Sequence, residues 1–402
     1  MKDKIFVQIA SYRDPELLPT IRDCIAKAKY PENLTFGICW QRDETETMGE
    51  FENDPRFTVL DYHWSKSKGL CWARSEIQKL WKGEEYTLQL DSHHRFLQDW
   101  DVELIEMMKL TGSEKPIITA YAGMYRPSDN QLLNVEPYKM VASNFTPGGT
   151  IMFRPHAIEG WEKLTKPVPA RFVSGHFFFT LGIHCEEYKY DPNIYFAGDE
   201  ISLSIRSFTL GYDLYHPHKT IIWHEYTREG RTKHWTDFNQ ENKESGVVEK
   251  QWWEMDNESK RRLRHMLQEE DNNIDLTIYG LGDVRTHRDY ELYAGIDFKR
   301  RKLHPDTLKG IIPPINDESD WYLVAENDYT YNLYLPKPQT DNLSFIYVGV
   351  EDTESNVLHR VDLQSYQEFL PITFKSFTQP HKWVYWPVDK QGNWLQRQDF
   401  LL

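Results

Sequence analysis

Apolar and polar residues in the first hundred positions follow two alternating patterns. Residues 5–10 form a near-continuous apolar run, typical of a strand that is buried on both faces of a parallel sheet. Residues 16–28 instead carry apolar side chains at helical spacing. The same patterns predict further strands at residues 34–40, 57–60 and 86–90, and a second helix over residues 71–81. This order of elements predicts an α/β fold with a mostly parallel sheet flanked by helices.

The pattern changes towards the C-terminus, and it divides the chain into three parts. We predict a catalytic domain over residues 1–275, then a helical tail and linker over residues 276–312 that packs on it. Pro313 and Pro314 mark the end of this linker. Beyond them, turn residues separate short alternating runs, which predict a small all-β, sandwich-like module over residues 313–402. These runs lie at residues 321–325, 332–335, 343–350 and from 374 onward.

Side chains that can bind a metal follow the strand predicted at residues 86–90. Side chains alternate along an extended segment, so we expect Asp91 and His93 on one face and His94 on the other. A carboxylate and an imidazole placed in this way can hold one divalent metal and leave positions for a substrate's phosphate oxygens. The alternative is a surface loop in which Asp91 caps the next element and the histidines are solvated.

Other polar residues lie beside predicted strands and helices. Arg74, on the first turn of the second helix, can reach a nucleotide's phosphate or ribose, or it can be a solvated arginine. Gly175 and His176 precede an apolar strand, where the glycine allows close approach of a ligand or only eases a bend. Asp199 and Glu200 begin a predicted helix, and they either orient or deprotonate an acceptor hydroxyl or act only as caps.

His224 follows the apolar run of residues 220–223, and a lone histidine in such a place is usually structural. Asp91 and His93, however, lack a third protein ligand, and His224 is the best candidate. Ligation by one aspartate and by histidines is softer than ligation by carboxylates alone. It therefore favours Mn²⁺, with Mg²⁺ as the second choice.

Five segments together carry a resemblance to a known family. The chain resembles nucleotide-sugar glycosyltransferases of the GT-A fold, and most of all the cytoplasmic hydroxyproline (polypeptide) GlcNAc-transferases. That family is in turn similar to the mucin-type polypeptide GalNAc-transferases. The resemblance extends over about residues 3–300. The segments are residues 5–14, 69–74, 89–93, 198–200 and 223–225.

The resemblance implies an activity and assigns roles to the residues above. It implies a retaining transfer of a sugar, with GlcNAc as the leading choice, from a UDP-sugar to a hydroxyl of a protein hydroxyproline, serine or threonine. The metal, bound between protein and UDP diphosphate, would neutralise charge on the leaving UDP. The implied roles are metal binding for Asp91, His93 and His224, uridine binding for Ser11, Tyr12, Arg13 and Arg74, and acceptor positioning for Asp199 or Glu200.

Composition narrows the range of partners. The chain has 402 residues, a net charge of −15 and a pI near 5.5, which argue against nucleic acid as a routine partner. An anionic ligand held by a metal stays compatible with this charge. The sequence shows no signal-peptide core and no apolar run long enough to span a bilayer, and its four cysteines form no C-x-x-C pair. We therefore predict a cytoplasmic protein with free, buried thiols.

Three other classes of protein remain as alternatives. One is a metal-dependent nucleotidyltransferase or phosphatase, although nucleotidyltransferases usually use carboxylate-rich two-metal sites. Another is a glycosyltransferase that builds a polysaccharide or another glycan. The third is a carbohydrate-binding protein with an inactive first domain. The 14 tryptophans and 23 tyrosines suit stacking platforms for sugar rings, or a large aromatic core.

Overall fold

The computed structural model of the chain describes residues 3–146, 148–227, 230–315, 327–376 and 378–402. The apolar run predicted at residues 321–325 lies outside these ranges. Up to Leu303, the strands are β1 (Ile5–Tyr12), β2 (Leu34–Arg42), β3 (Phe57–His63), β4 (Tyr86–Asp91), β5 (His94–Phe96), β6 (Pro116–Thr119), β7 (Gly123–Arg126), β8 (Gln131–Leu132), β9 (Tyr138–Phe145), β10 (Ile151–Ala157), β11 (Val168–Pro169), β12 (Phe177–Leu181), β13 (Asp213–His216), β14 (Ile222–His224), β15 (Ile296–Asp297) and β16 (Lys302–Leu303). The helices are α1 (Leu17–Lys27), α2 (Leu70–Gln78), α3 (Trp100–Thr111), α4 (His184–Glu187), α5 (Asp199–Thr209), α6 (His234–Asp237), α7 (Gln240–Glu244), α8 (Trp252–Met266), α9 (His287–Ala294) and α10 (Pro305–Lys309).

Eight of the strands form one large sheet, in the order β11-β13-β6-β12-β4-β1-β2-β3. Strand β1 pairs in parallel with both β2 and β4, and β2 pairs in parallel with β3. Strand β12 runs antiparallel between β4 and β6. The predicted α/β class with a mostly parallel sheet is confirmed.

Helices cover both faces of this sheet, which explains the near-continuous apolar run of β1. Val7 and Ile9 pack with Ile21 of α1 in one core cluster. Phe6, whose side chain points to the opposite face, packs with Ile77 of α2 in another. A strand buried on both faces has no exposed side that would select polar residues.

The sheet brings several polar segments to one edge. In the pairing of β1 with β4, Ala10 lies opposite Asp91, so the residues that follow β1 lie beside the residues that follow β4. A second, smaller sheet has the order β5-β14-β7-β8 and continues from this edge. Its β14 runs antiparallel to β5, with His224 opposite His94.

The helical tail and linker predicted over residues 276–312 are helical only in part. Helix α9 ends at Ala294, and Gly295 follows it with a φ of 64°, a left-handed conformation that suits glycine at a helix end. The short strands β15 and β16 then pair with each other. Residues 232–273 contain the three helices α6, α7 and α8.

The C-terminal part consists of two antiparallel sheets that share one core, as expected for a sandwich. Strands β17 and β20 form the first sheet, and the second has the order β19-β18-β21-β22. Leu333 and Ile372 of the first sheet pack with Ile346 and Val348 of the second. The strands are β17 (Asn327–Tyr334), β18 (Leu343–Glu351), β19 (Val357–Leu363), β20 (Phe369–Ser376), β21 (Lys382–Asp389) and β22 (Gln398–Leu401).

This all-β part contacts the rest of the chain through aromatic side chains. The ring of Phe345 lies 5.7 Å from the ring of Trp253 and 6.3 Å from that of Trp252, both at the start of α8. The domain boundaries at residues 275 and 313 stay predictions. The four cysteines are free and buried, as predicted. Within the ranges that the structure describes, no helix has both the length and the apolar character needed to cross a membrane.

Candidate active site and metal centre

Asp91, His93 and His224 converge at the edge of the sheet. One ligand atom from each residue can be chosen so that all three atoms lie within 4.8 Å of one another. Asp91 Oδ2 is 3.6 Å from His224 Nε2 and 3.8 Å from His93 Nε2. One carboxylate and two imidazoles at this separation can ligate one divalent cation.

The chain reaches this arrangement differently from the expected strand alternation. Strand β4 ends at Asp91, and neither Ser92 nor His93 belongs to a strand. The chain therefore bends before β5, so the side chains of residues 91–94 do not alternate as they would along one extended strand. His94 is fully buried next to the cluster, where its Nδ1 donates to the carbonyl oxygen of Asp91 at 3.0 Å.

His224 shows the strongest sign of a missing partner. Its side chain is buried, and neither of its ring nitrogens has a hydrogen-bond partner among the described residues. Aromatic rings surround it, including those of Tyr226 at 4.3 Å and His176 at 4.4 Å. Buried polar atoms without partners are costly, so a metal ion would satisfy this imidazole.

His93 is oriented by the carboxylate of Asp14, a residue for which the sequence predicted no role. Its Nδ1 donates to Asp14 Oδ2 at 2.7 Å, which places the lone pair of the ring on Nε2, the nitrogen that faces Asp91. Ser92 Oγ also donates to Asp14 Oδ2, at 2.8 Å. A carboxylate behind a histidine in this way is common for metal-binding histidines.

The protonation states suit a metal centre. Burial opposes ionisation of Asp91, but His224 and the guanidinium of Arg74 outweigh this effect and hold the pKa of Asp91 well below its usual value. Burial, reinforced by the neighbouring His176, holds the pKa of His224 well below its usual value. Burial also lowers the pKa of His176 to about 4. At neutral pH the carboxylate is therefore charged and these imidazoles are neutral, the forms that bind metals.

Arg74 is a buried bridge between carboxylates and is not a solvated arginine. Its side chain is 2% exposed. Nη2 donates to Asp91 Oδ1 at 3.1 Å and to the carbonyl oxygen of Gly175 at 2.5 Å, and Nη1 pairs with Asp199. The guanidinium thus fixes a candidate metal ligand against the helix that carries Asp199 and Glu200.

Asp199 and Glu200 begin α5 after Gly198, whose φ of 93° favours glycine. Glu200 accepts hydrogen bonds from the hydroxyl of Tyr121 at 2.8 Å and from the backbone N–H of Gly175 at 3.1 Å. Burial raises the pKa of Glu200 to about 7, because burial outweighs these two bonds and the nearby Asp199 adds repulsion. The carboxyl can therefore exchange a proton near neutral pH.

Gly175 and His176 lie between the candidate metal ligands and the pair Asp199 and Glu200. A side chain at position 175 would collide with the carboxylate of Asp199. Glycine is therefore needed here because Asp199 packs closely against the backbone, and not because a ligand does. His176 is held at both ring nitrogens, by Ser174 Oγ at 2.9 Å and by the backbone N–H of Ala122 at 3.1 Å.

The sequence profile of one known family matches most of the chain. The family is described as Glycosyltransferase (GlcNAc), and the matches cover residues 4–55 and 50–300. The chain belongs to this glycosyltransferase family. The candidate metal centre and the Arg74–Asp199 bridge both fall within the matched residues. No curated protein matches the sequence.

Two solved structures are similar to this glycosyltransferase-family chain. One is GalNAc-T7 with UDP, GalNAc and Mn²⁺, at 15% sequence identity and a TM-score of 0.43, covering 72% of this chain and 54% of that one. The other is TarS 1-349 of S. aureus, at 12% identity and a TM-score of 0.37, covering 55% of this chain and 60% of that one. The chain thus spans little more than half the length of these two structures, and the family assignment rests on the sequence match.

The predicted uridine-binding residues Ser11, Tyr12 and Arg13 follow the apolar part of β1. Tyr12 and Arg13 both contact Asp237 of α6: the Tyr12 hydroxyl donates to Asp237 Oδ2 at 2.8 Å, and Arg13 Nη1 donates to it at 2.9 Å. Ser11 is buried, and its hydroxyl has no hydrogen-bond partner in the described part of the chain. The segment after β14 therefore packs against the loop that follows β1.

Arg231, in that same segment, is a second residue that the sequence analysis missed. Its Nη1 lies 3.0 Å from both Asp14 Oδ2 and His93 Nε2, and its Nη2 pairs with Glu225 at 2.6 Å. No local motif marks this arginine, because its partner His93 lies 138 positions earlier in the chain. It adds a positive charge beside the candidate metal centre.

Proposed function

We propose that this glycosyltransferase moves GlcNAc from UDP-GlcNAc to a hydroxyl group of an acceptor protein, at a hydroxyproline, serine or threonine. The observation that carries the proposal is the convergence of Asp91, His93 and His224, with both nitrogens of His224 buried and without a hydrogen-bond partner among the described residues. The family match supports glycosyl transfer. The resemblance to cytoplasmic hydroxyproline GlcNAc-transferases supports this donor, this acceptor and a cytoplasmic location.

Asp91, His93 and His224 would hold Mn²⁺, or less readily Mg²⁺. The bound ion would supply charge neutralisation to the leaving diphosphate. Hydrogen bonds fix the orientation of two of the three ligands, since Arg74 donates to Asp91 and Asp14 accepts from His93. Such support keeps the ligand atoms in place before the substrate arrives.

The nucleotide would bind at the carboxyl end of β1. Ser11, Tyr12 and Arg13 lie there, and the β1–β4 register places them beside Asp91. Arg231 would add a cation for the diphosphate. Gly175 and His176 would border the donor sugar, because Gly175 touches both Arg74 and Asp199.

In the reaction, the bond between the anomeric carbon and the β-phosphate oxygen breaks, and a bond to the acceptor oxygen forms. The products are the glycosylated acceptor, UDP and the proton of the acceptor hydroxyl. Glu200, held by Tyr121 and Gly175 and with a pKa of about 7, would orient that hydroxyl and can accept its proton. Asp199, paired with Arg74, would fix the geometry.

A panel of UDP-sugars incubated with the protein and Mn²⁺ tests this proposal by release of UDP. We expect release from UDP-GlcNAc, and loss of release with Asp91→Asn. As a control, Asp129→Asn changes an exposed carboxylate that contacts Arg126 and the backbone N–H of Gln131, away from the metal centre, and it should behave like the native protein. Release from other nucleotides only would contradict the proposal, and so would sugar binding without release from any nucleotide sugar.

A further inference from the structure

A cleft of about 820 Å³ separates the first part of the chain from the C-terminal sheets. Residues of α8 and of the segment 299–303 line one wall, and residues of β19 and β20 line the other. The lining includes nine lysines and arginines but only five aspartates and glutamates. The whole chain has the opposite balance, with 47 basic and 62 acidic residues. We call this feature the basic cleft.

Three cations of the basic cleft are available to a ligand. Arg261, Lys299 and Lys375 are exposed, and none of them forms an ion pair with a residue that the structure describes. Other cations of the lining are neutralised internally, as Arg360 is by Asp362 at 2.9 Å. The unpaired charges create a positive potential that a cleft concentrates.

One wall of the basic cleft is the edge of a sheet. Strand β19 pairs with β18 on one side, and on its other side it has no strand neighbour among the described residues. An edge strand presents unpaired N–H and C=O groups, which can hydrogen-bond an extended peptide. The ring of His359 in this strand stacks on Phe374 of β20, with centroids 4.8 Å apart, and adds a flat surface.

The basic cleft lies close to the candidate acceptor site. Leu263 of α8 fills the space next to Gly198, the residue before Asp199, so a side chain at position 198 would collide with it. Lys260 and Arg264 of the same helix line the cleft. Helix α8, about 10 Å thick, therefore lies between the two sites. A chain that passes around half of this helix covers about 16 Å, which about five extended residues span.

We propose that the basic cleft binds an acidic, extended polypeptide segment of the acceptor. The backbone of this segment would add to the edge of β19, and its carboxylates would face Arg261, Lys299 and Lys375. A hydroxyl a few residues away would then reach Asp199 and Glu200. This last step rests on the proposed transfer reaction, whereas binding of the acidic segment does not.

Fluorescence anisotropy with a fluorescein-labelled polyglutamate peptide of about ten residues tests the binding. The test variant combines Arg261→Glu, Lys299→Glu and Lys375→Glu. Three exposed lysines, which form no ion pair with a described residue and do not line the cleft, supply a control with the same change in net charge. The control variant combines Lys163→Glu, Lys166→Glu and Lys337→Glu.

We expect the cleft variant to bind polyglutamate about tenfold more weakly than the native protein, and the control variant to differ by less than about twofold. Equal weakening in both variants would overturn the proposal, because it would show attraction by net charge alone. Lack of polyglutamate binding by the native protein would also overturn it, and binding of a sulfated oligosaccharide in its place would assign the cleft to an anionic glycan. UDP release from UDP-GlcNAc without acceptor should be equal in all three proteins. Its absence from all three would overturn the transfer reaction alone.

Discussion

His224 Nε2 lies 3.6 Å from Asp91 Oδ2, although 132 residues separate the two positions in the sequence. The antiparallel pairing of β14 with β5 produces this approach, since it places His224 opposite His94 and next to His93. The separation is too long for a hydrogen bond but short enough for both atoms to bind one cation. The space between these two atoms can therefore hold a metal ion that both residues bind.

His93 and His94 should respond differently to replacement by alanine. His93 Nε2 faces Asp91, so His93→Ala should abolish Mn²⁺-dependent release of UDP. His94 is fully buried and donates to the backbone of Asp91, so His94→Ala should lower the melting temperature yet keep part of the activity. Activity assays and thermal unfolding of both variants test this, and equal loss of activity at an equal melting temperature would contradict it.

Arg231 should compete with a metal ion for His93. Its Nη1 lies 3.0 Å from His93 Nε2. A divalent cation bound to this nitrogen would therefore lie close to the guanidinium, and the two positive charges would repel each other. Arg231→Ala should therefore strengthen Mn²⁺ binding in the absence of nucleotide by about tenfold, and weaken UDP binding. Calorimetric titrations with Mn²⁺ and with UDP measure both effects. Weaker Mn²⁺ binding in the variant would show that Arg231 supports the metal centre.

Arg74→Ala should destabilise the fold strongly. The substitution leaves the carboxylates of Asp91 and Asp199 without their shared cation, and Asp199 is buried. Loss of one partner from a buried ion pair costs about 3–5 kcal/mol. Urea unfolding measures this, with Arg126→Ala as the control, because the Arg126–Asp129 pair is exposed to solvent and contributes little to stability. Similar losses in the two variants would mean that Arg74 is not a structural bridge.

Glu200 should make stability depend on pH. Its pKa is about 7 in the folded chain against an ordinary value of 4.5, so the folded state holds the proton more tightly than the unfolded state does. The associated stabilisation is complete below pH 4.5 and is lost as the pH rises through about 7. Glu200→Gln cannot ionise and should therefore lose less stability than the native protein between pH 5 and pH 8. Melting temperatures across this range test the difference, and parallel curves would contradict the raised pKa.

The sequence predicted the parts of this molecule that depend on local patterns. The β1, α1, β2, β3, α2, β4 order follows from the spacing of apolar residues, because a buried strand and an amphipathic helix each impose a period. The C-terminal sheets follow in the same way from alternation and turn residues. The predicted helical tail and linker over residues 276–312 contain helix only in part, since Gly295 ends α9.

Contacts between distant segments could not be predicted in the same way. The burial of Arg74 depends on Asp199, which lies 125 residues later, and the role of Asp14 depends on His93, which lies 79 residues later. The orientation of His93 depends on the end of β4 at Asp91, which alternation does not reveal. The pKa of Glu200 rises because of burial, a property of the folded chain only.

Mn²⁺ binding in the presence of UDP, measured by calorimetry for the native protein and for His224→Ala, tests the central claim most directly. If His224 is the third metal ligand, the variant should bind Mn²⁺ about a hundredfold more weakly and should also bind UDP more weakly. Its melting temperature without Mn²⁺ should stay close to the native value, because His224 makes no hydrogen bond to a described residue. Native Mn²⁺ affinity together with a large loss of melting temperature would contradict the account and make His224 a structural residue.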